Sequence, residues 1–170
     1  MGRNGLPGNE LPEAMRSIRL IALDVDGVLT QGDIIYTSSG DEIKIFNAKD
    51  GLGISLAIRN GLMIAIITAR QSSIVDRRAE ELGITHVRQG AKNKRQALEA
   101  LMEELSLTPE QVAYMGDDLP DIPALELAGL ACCPQDAAQE VINVCQWVSG
   151  RNGGRGAVRE LVDKLLAARP

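Results

Sequence analysis

Along the chain, short apolar runs alternate with stretches where apolar residues recur every three or four positions. The runs at 19–25, 63–68, 85–88, 111–115 and Leu130–Cys133, with a short one at 146–148, predict strands. The middle runs are apolar throughout, as expected of parallel strands covered on both faces. Between them the spacing predicts helices over 52–60, stopped by Gly61, and over 72–82, with Gly83 as a left-handed C-terminal residue. A further helix is predicted over Lys94–Leu105, where Ala97, Leu98, Leu101 and Leu105 share a face. Thr108-Pro109-Glu110 has the form of an N-cap with proline at the first helical position. Ala157–Ala168 reads as a closing amphipathic helix. This alternation predicts an α/β doubly wound parallel sheet. Such sheets bind ligands beyond the carboxyl ends of their strands.

Between residues 28 and 50 the alternation breaks. Ser38-Ser39-Gly40-Asp41 is a turn between two β-prone arms, which predicts a projecting β-hairpin. Ile34, Ile35, Ile43, Ile45 and Phe46 are too apolar for a free flap, so the hairpin is expected to pack on another subunit. It is too small to form a large cap domain, and specificity is then expected to come from neighbouring chains. Residues 1–17 read as a loose N-terminal arm. Residues 18–170 read as one domain, ending in a tail and helix from about 150.

Composition narrows the picture. A length of 170 residues suits one domain with a real core, and a hydrophobic fraction of 45% excludes a disordered chain. Aromatics are only 2%, which leaves Leu, Ile, Val and Ala to fill the interior. A net charge of −5 argues against broad nucleic-acid binding. Cys132, Cys133 and Cys145 match neither a disulfide framework nor a zinc motif and read as reduced core thiols. No apolar run is long enough to span a membrane, and the polar start lacks the apolar centre of a signal peptide. The expected place is the cytoplasm.

The candidate chemistry lies at the strand ends. Asp24 and Asp26 follow the first strand two residues apart, so on an extended backbone they face the same side. Such a pair can divide into a nucleophile and a proton carrier. Gly116-Asp117-Asp118-Leu119-Pro120-Asp121 follows a later strand. Carboxylates there are costly to desolvate without a cation, and two converging clusters make an oxygen-rich pocket for a hard divalent metal. Thr68 ends the second strand with a hydroxyl suited to a phosphate oxygen. Lys94 can neutralise nucleophile and phosphate together, with Lys92 as a competing lysine. Asp117 can complete a metal site, while Asp118 and Asp121 can hold metal waters, orient Lys94 or cap the next helix. His86 and Trp147 read as strand and core residues.

Asp24-x-Asp26-Gly27, Thr68, Lys94 and Gly116-Asp117-Asp118-x-x-Asp121, in that order, resemble the four motifs of the haloacid dehalogenase superfamily. The stretches 24–30 and 46–54, the hairpin, and Gly153-Gly154-Arg155-Gly156 resemble its 3-deoxy-D-manno-octulosonate 8-phosphate phosphatases. The resemblance implies a Mg²⁺-dependent phosphatase, usually a homotetramer, with hairpins at the tetramer core. It implies Asp24 as nucleophile and Asp26 as general acid/base. It implies phosphate binding by Thr68, the Ala69 backbone and Lys94. Metal would be held by Asp24, the Asp26 main-chain carbonyl and Asp117. Lys49, Arg70 and Arg155 are the candidates to touch the sugar acid, Arg155 by reaching a neighbouring subunit's site. The family usually has Asp where Gln31 stands, Gly where Ala69 stands and Arg where Lys49 stands. Lys49 leaves an eight-carbon and a nine-carbon sugar acid both open, because Lys and Arg recognise carboxylates differently. A phospho-accepting receiver, with Asp50 as acceptor, is the competing reading from another class.

Overall fold

The structure, a computed structural model, describes residues 10–169. Six parallel strands form the main sheet: β1 (Leu20–Leu23), β4 (Met63–Ile67), β5 (His86–Arg88), β6 (Val112–Met115), β7 (Leu130–Cys133) and β8 (Trp147–Val148). Their order is β5-β4-β1-β6-β7-β8. β1 is central, paired in register with β4 through Leu20 and Met63 and with β6 through Leu20 and Val112. The expected doubly wound α/β sheet is therefore present.

The strands read as unbroken apolar runs because each face has its own helical layer. Ile21 and Leu23 point into one core with Ile64, Ile66, Ala113 and Met115; α1 (Glu10–Ser17), α2 (Ala48–Arg59), α3 (Ser73–Leu82) and α7 (Ala157–Ala168) lie on that side. Leu20 and Ala22 point into the other core with Ala65, Ile67, Val112 and Tyr114, beneath α4 (Lys94–Leu105), α5 (Ile122–Leu127) and α6 (Gln139–Val144). The second core is finished by Leu98, Leu101 and the thiols Cys133 and Cys145.

Several local expectations change. α2 begins at Ala48, four residues before the expected start, because the Asn47 side chain accepts from the N–H groups of Lys49 and Asp50. Thr108-Pro109 opens a single 3-10 turn (Pro109–Gln111), closed by a capping box with Gln111. The arm expected to be loose over 1–17 is helical from Glu10 to Ser17, and Met15 is buried in the first core; residues 1–9 lie outside the described residues. The hairpin forms, but with arms of only two residues, β2 (Ile35–Tyr36) and β3 (Glu42–Ile43). Its polarity is inverted: Lys44 has a buried side chain, while Ile34, Tyr36, Ile43 and Ile45 are exposed. Phe46 folds inward under Arg78, whose guanidinium carbon lies 5.6 Å from the ring centre.

Candidate active site

Because β4, β1 and β6 are neighbours, their carboxyl ends deliver Thr68, Asp24 and Asp117 to one place. A cleft there is lined by Asp24, Asp26, Thr68, Ala69, Arg70, Lys94, Asp117, Asp118 and Asp121. Nine of the eleven residues singled out as site candidates thus converge. The Asp24 N–H bonds to Met115 O at 3.1 Å, so its backbone still belongs to the sheet while its side chain has left it.

The centre is a buried lysine between two carboxylates. Lys94, the first residue of α4, places Nζ 2.8 Å from Asp24 Oδ2 and 2.7 Å from Asp121 Oδ1. Asn93 caps α4 through the Gln96 N–H, which fixes where that lysine emerges. Lys92 is exposed and does not line the cleft, so the competition between the two lysines resolves toward Lys94. Asp24 Oδ1 accepts from the Val25 N–H at 2.7 Å.

Asp121 organises the rest. Its Oδ1 also accepts from the Tyr114 hydroxyl at 2.8 Å, and its Oδ2 accepts from the N–H groups of Asp117 and Asp118 at 3.1 and 3.3 Å. One oxygen each of Asp24, Asp117 and Asp121 lies within 4.8 Å of the others, close enough to share a cation. The Asp121 oxygens are already committed to four donors, so Asp24 and Asp117 are the side chains with capacity left. Gly27 (φ +92°) lets the loop pass beside them: a Cβ at that position would overlap the Asp117 carboxylate.

Electrostatics favour a cation. Burial, then the Asp121 charge, pushes Asp24 up to about 6 against the pull of Lys94. Burial, with Asp24 and Asp121, pushes Asp117 up to about 7. Burial works to lower the Lys94 pKa, but Asp24 and Asp121 outweigh it and hold the ammonium above its ordinary value. One ammonium does not neutralise three carboxylates. An all-oxygen donor set with unmet negative charge fits a hard divalent ion.

Asp26 sits on the hairpin side of the cleft. Its Oδ1 accepts from Lys44 Nζ at 2.6 Å, and Arg70 Nε lies 3.7 Å from Oδ2. Glu42 ties this corner together, accepting from Arg70 at 3.0 Å and from the Ser72 hydroxyl at 2.6 Å, with Lys44 at 3.2 Å. Sequence reasoning missed Lys44, Glu42 and Tyr114. The first two are charges two apart on a β-prone arm, which sets them on one side. Tyr114 is the one polar-tipped residue in an otherwise apolar strand.

Two candidates lie elsewhere. Lys49 and Arg155 line a separate basic cleft with Arg151 and Arg159, near the first turns of α2 and α7. Asp50 is also outside the active cleft. It is buried, and its carboxylate accepts from the N–H groups of Gly156 at 3.1 Å and Arg159 at 2.9 Å, so it caps α7. That removes the acceptor a receiver needs.

The chain is similar to known proteins over most of its length. A family model described as haloacid dehalogenase-like hydrolase matches residues 86–161. The 3-deoxy-D-manno-octulosonate 8-phosphate phosphatase of Escherichia coli K12 is 47% identical over 152 residues, covering 89% of this chain and 81% of that one. The Yersinia pestis enzyme of the same name is 41% identical, covering 96% and 88%. Among solved structures, the Moraxella catarrhalis phosphatase of that name, in complex with magnesium, phosphate and KDO, superposes with a TM-score of 0.94 at 42% identity, covering 96% and 94%. The cobalt-bound Haemophilus influenzae phosphatase gives 0.88 at 38%, covering 91% of each chain.

Proposed function

We propose that this chain, which belongs to the haloacid dehalogenase-like hydrolases and among them to the 3-deoxy-D-manno-octulosonate 8-phosphate phosphatases, removes the phosphate from that sugar acid with Mg²⁺ as cofactor. The observation that carries the reading is the buried Asp24 carboxylate, held against Lys94 and within cation-sharing distance of Asp117. Asp24, Asp117 and the Asp26 main-chain carbonyl would hold the ion. When bound, Mg²⁺ offsets the charge that develops on the phosphoryl oxygens.

The side chains divide the remaining work. Thr68, the Ala69 N–H and Lys94 hold the phosphate in line with Asp24. An Asp24 oxygen attacks phosphorus as the phosphorus–sugar oxygen bond breaks, and Asp26 gives its proton to the departing oxygen. Asp26, now a carboxylate, takes a proton from water as that water attacks the aspartyl-phosphate. The bond to Asp24 breaks, inorganic phosphate leaves, and Asp24 and protonated Asp26 are restored. Asp121 and Tyr114 keep Lys94 aimed.

Self-association completes the reading. The exposed Ile43 and Ile45, on the side of the hairpin opposite Glu42 and Lys44, give it an outward apolar surface that suits a homotetramer core. The basic cleft of Lys49 and Arg155 would then serve a neighbouring chain's substrate carboxylate. The three unpaired thiols suit the reducing cytoplasm. The test is phosphate release with Mg²⁺ from a panel of eight- and nine-carbon sugar-acid phosphates. The highest kcat/KM should fall on the eight-carbon substrate; a clear preference for another ester would overturn the assignment.

A further inference from the structure

The segment 150–156, between β8 and α7, is folded back under the loop that follows β1. The Gly154 N–H donates to Val28 O at 2.8 Å, and the Gly153 N–H donates to Asp136 Oδ1 at 2.9 Å. Asp50 pins the far end through Gly156. At Gly153 and Gly154 the fit leaves no room for a side chain. A Cβ on Gly153 would overlap the Gly27 carbonyl oxygen, and one on Gly154 (φ +61°) would lie 2.5 Å from the Thr30 carbonyl carbon. Gly27 is as tightly set against the Asp117 carboxylate, which a Cβ there would overlap. Gly27 is therefore closely approached by both Gly153 and Asp117.

We propose that residues 150–156 are a strap that fixes the loop after β1 against Asp117, making Gly153 and Gly154 positioning residues for the metal site although neither lines the cleft. A methyl on Gly153 displaces the Gly27 carbonyl, and with it the loop that carries Asp26, relative to Asp117. Two of the groups assigned to the ion would then lose their mutual spacing. The proposal rests on the metal reading given above.

The test is direct Mg²⁺ binding by calorimetry, with kcat and melting temperature alongside. Gly153→Ala should bind Mg²⁺ about ten- to a hundredfold more weakly, as expected when groups behind a metal site are disturbed. Gly150→Ala, where an added Cβ meets only the Glu160 oxygens at 3.7 and 3.8 Å, should bind like the wild type. Asp136→Ala, which frees the strap without adding bulk, should weaken binding in the same direction and covers the case in which Gly153→Ala does not fold. Unchanged Mg²⁺ affinity in Gly153→Ala and Asp136→Ala, beside tight wild-type binding, would overturn the strap alone. A wild-type protein that binds no Mg²⁺ would overturn the functional reading and the strap with it.

Discussion

In the proposed mechanism two demands meet at Asp24: the carboxylate must be buried to attack phosphorus dry, and it must stay charged enough to attack. Lys94 reconciles them, so Lys94→Ala should leave Asp24 and Asp121 facing each other without a counter-charge and cost about 3–5 kcal/mol of stability, read as a lowered urea midpoint. A loss under about 1 kcal/mol would mean the triad is not buried as described. The raised values of Asp24 (about 6) and Asp117 (about 7) set a pH dependence. Both lie above the ordinary 3.8, so the metal-free folded state binds protons more readily than the unfolded chain does. The contribution of this pair to stability is then full below about 4 and falls as pH rises toward 7. Mg²⁺ should therefore raise the melting temperature more at pH 7.5 than at pH 5; equal gains would contradict the assignment. Asp26→Asn should slow sugar-phosphate turnover far more than aryl-phosphate turnover, because only the poor leaving group needs the proton. Equal losses would remove Asp26 as the acid. At this scale the sequence was most legible: a carboxylate at the end of an apolar strand declares itself. Lys44 and Glu42 did not, because their importance depends on the hairpin folding back over Asp26.

Helices and strands were legible where side-chain period alone decides them. Lys94–Leu105 and Ala157–Ala168 have the expected bounds because each has one clear apolar stripe. α2 was misjudged at its start because its first turn is set by the Asn47 cap and by Asp50, which serves another helix. α5 and α6 have six residues each, too few for a period to show. Asp50 belongs to this scale. Its carboxylate closes the N-terminus of α7, so Asp50→Ala should cost about 1–2 kcal/mol in denaturant unfolding. An unchanged midpoint would mean the cap adds nothing.

Across the whole molecule, the hairpin decides how the site is finished. It turns charge toward Asp26 and leaves an apolar face outward, a costly arrangement for a lone chain. Ile45→Asp on that face should leave the fold intact by circular dichroism and lower the assembled mass in light scattering. Turnover of the sugar-acid phosphate should fall with it, while that of a small aryl phosphate is kept. A variant that assembles normally would contradict the interface. The projecting hairpin could be anticipated in the sequence from its turn and β-prone arms, but the basic cleft of Lys49 and Arg155 could not. Those residues are a hundred positions apart and meet only because α2 packs on α7.

The central claim is that Asp24 carries the phosphoryl group. The most direct measurement is rapid acid quench of the Asp26→Asn protein reacting with an aryl phosphate and Mg²⁺, followed by mass spectrometry of its peptides. Because the second step lacks its base, a phosphoryl adduct should accumulate on Asp24 and be absent from Asp24→Asn, which should release no phosphate. Phosphate release by Asp24→Asn at the wild-type rate, or an adduct on another residue, would contradict the account.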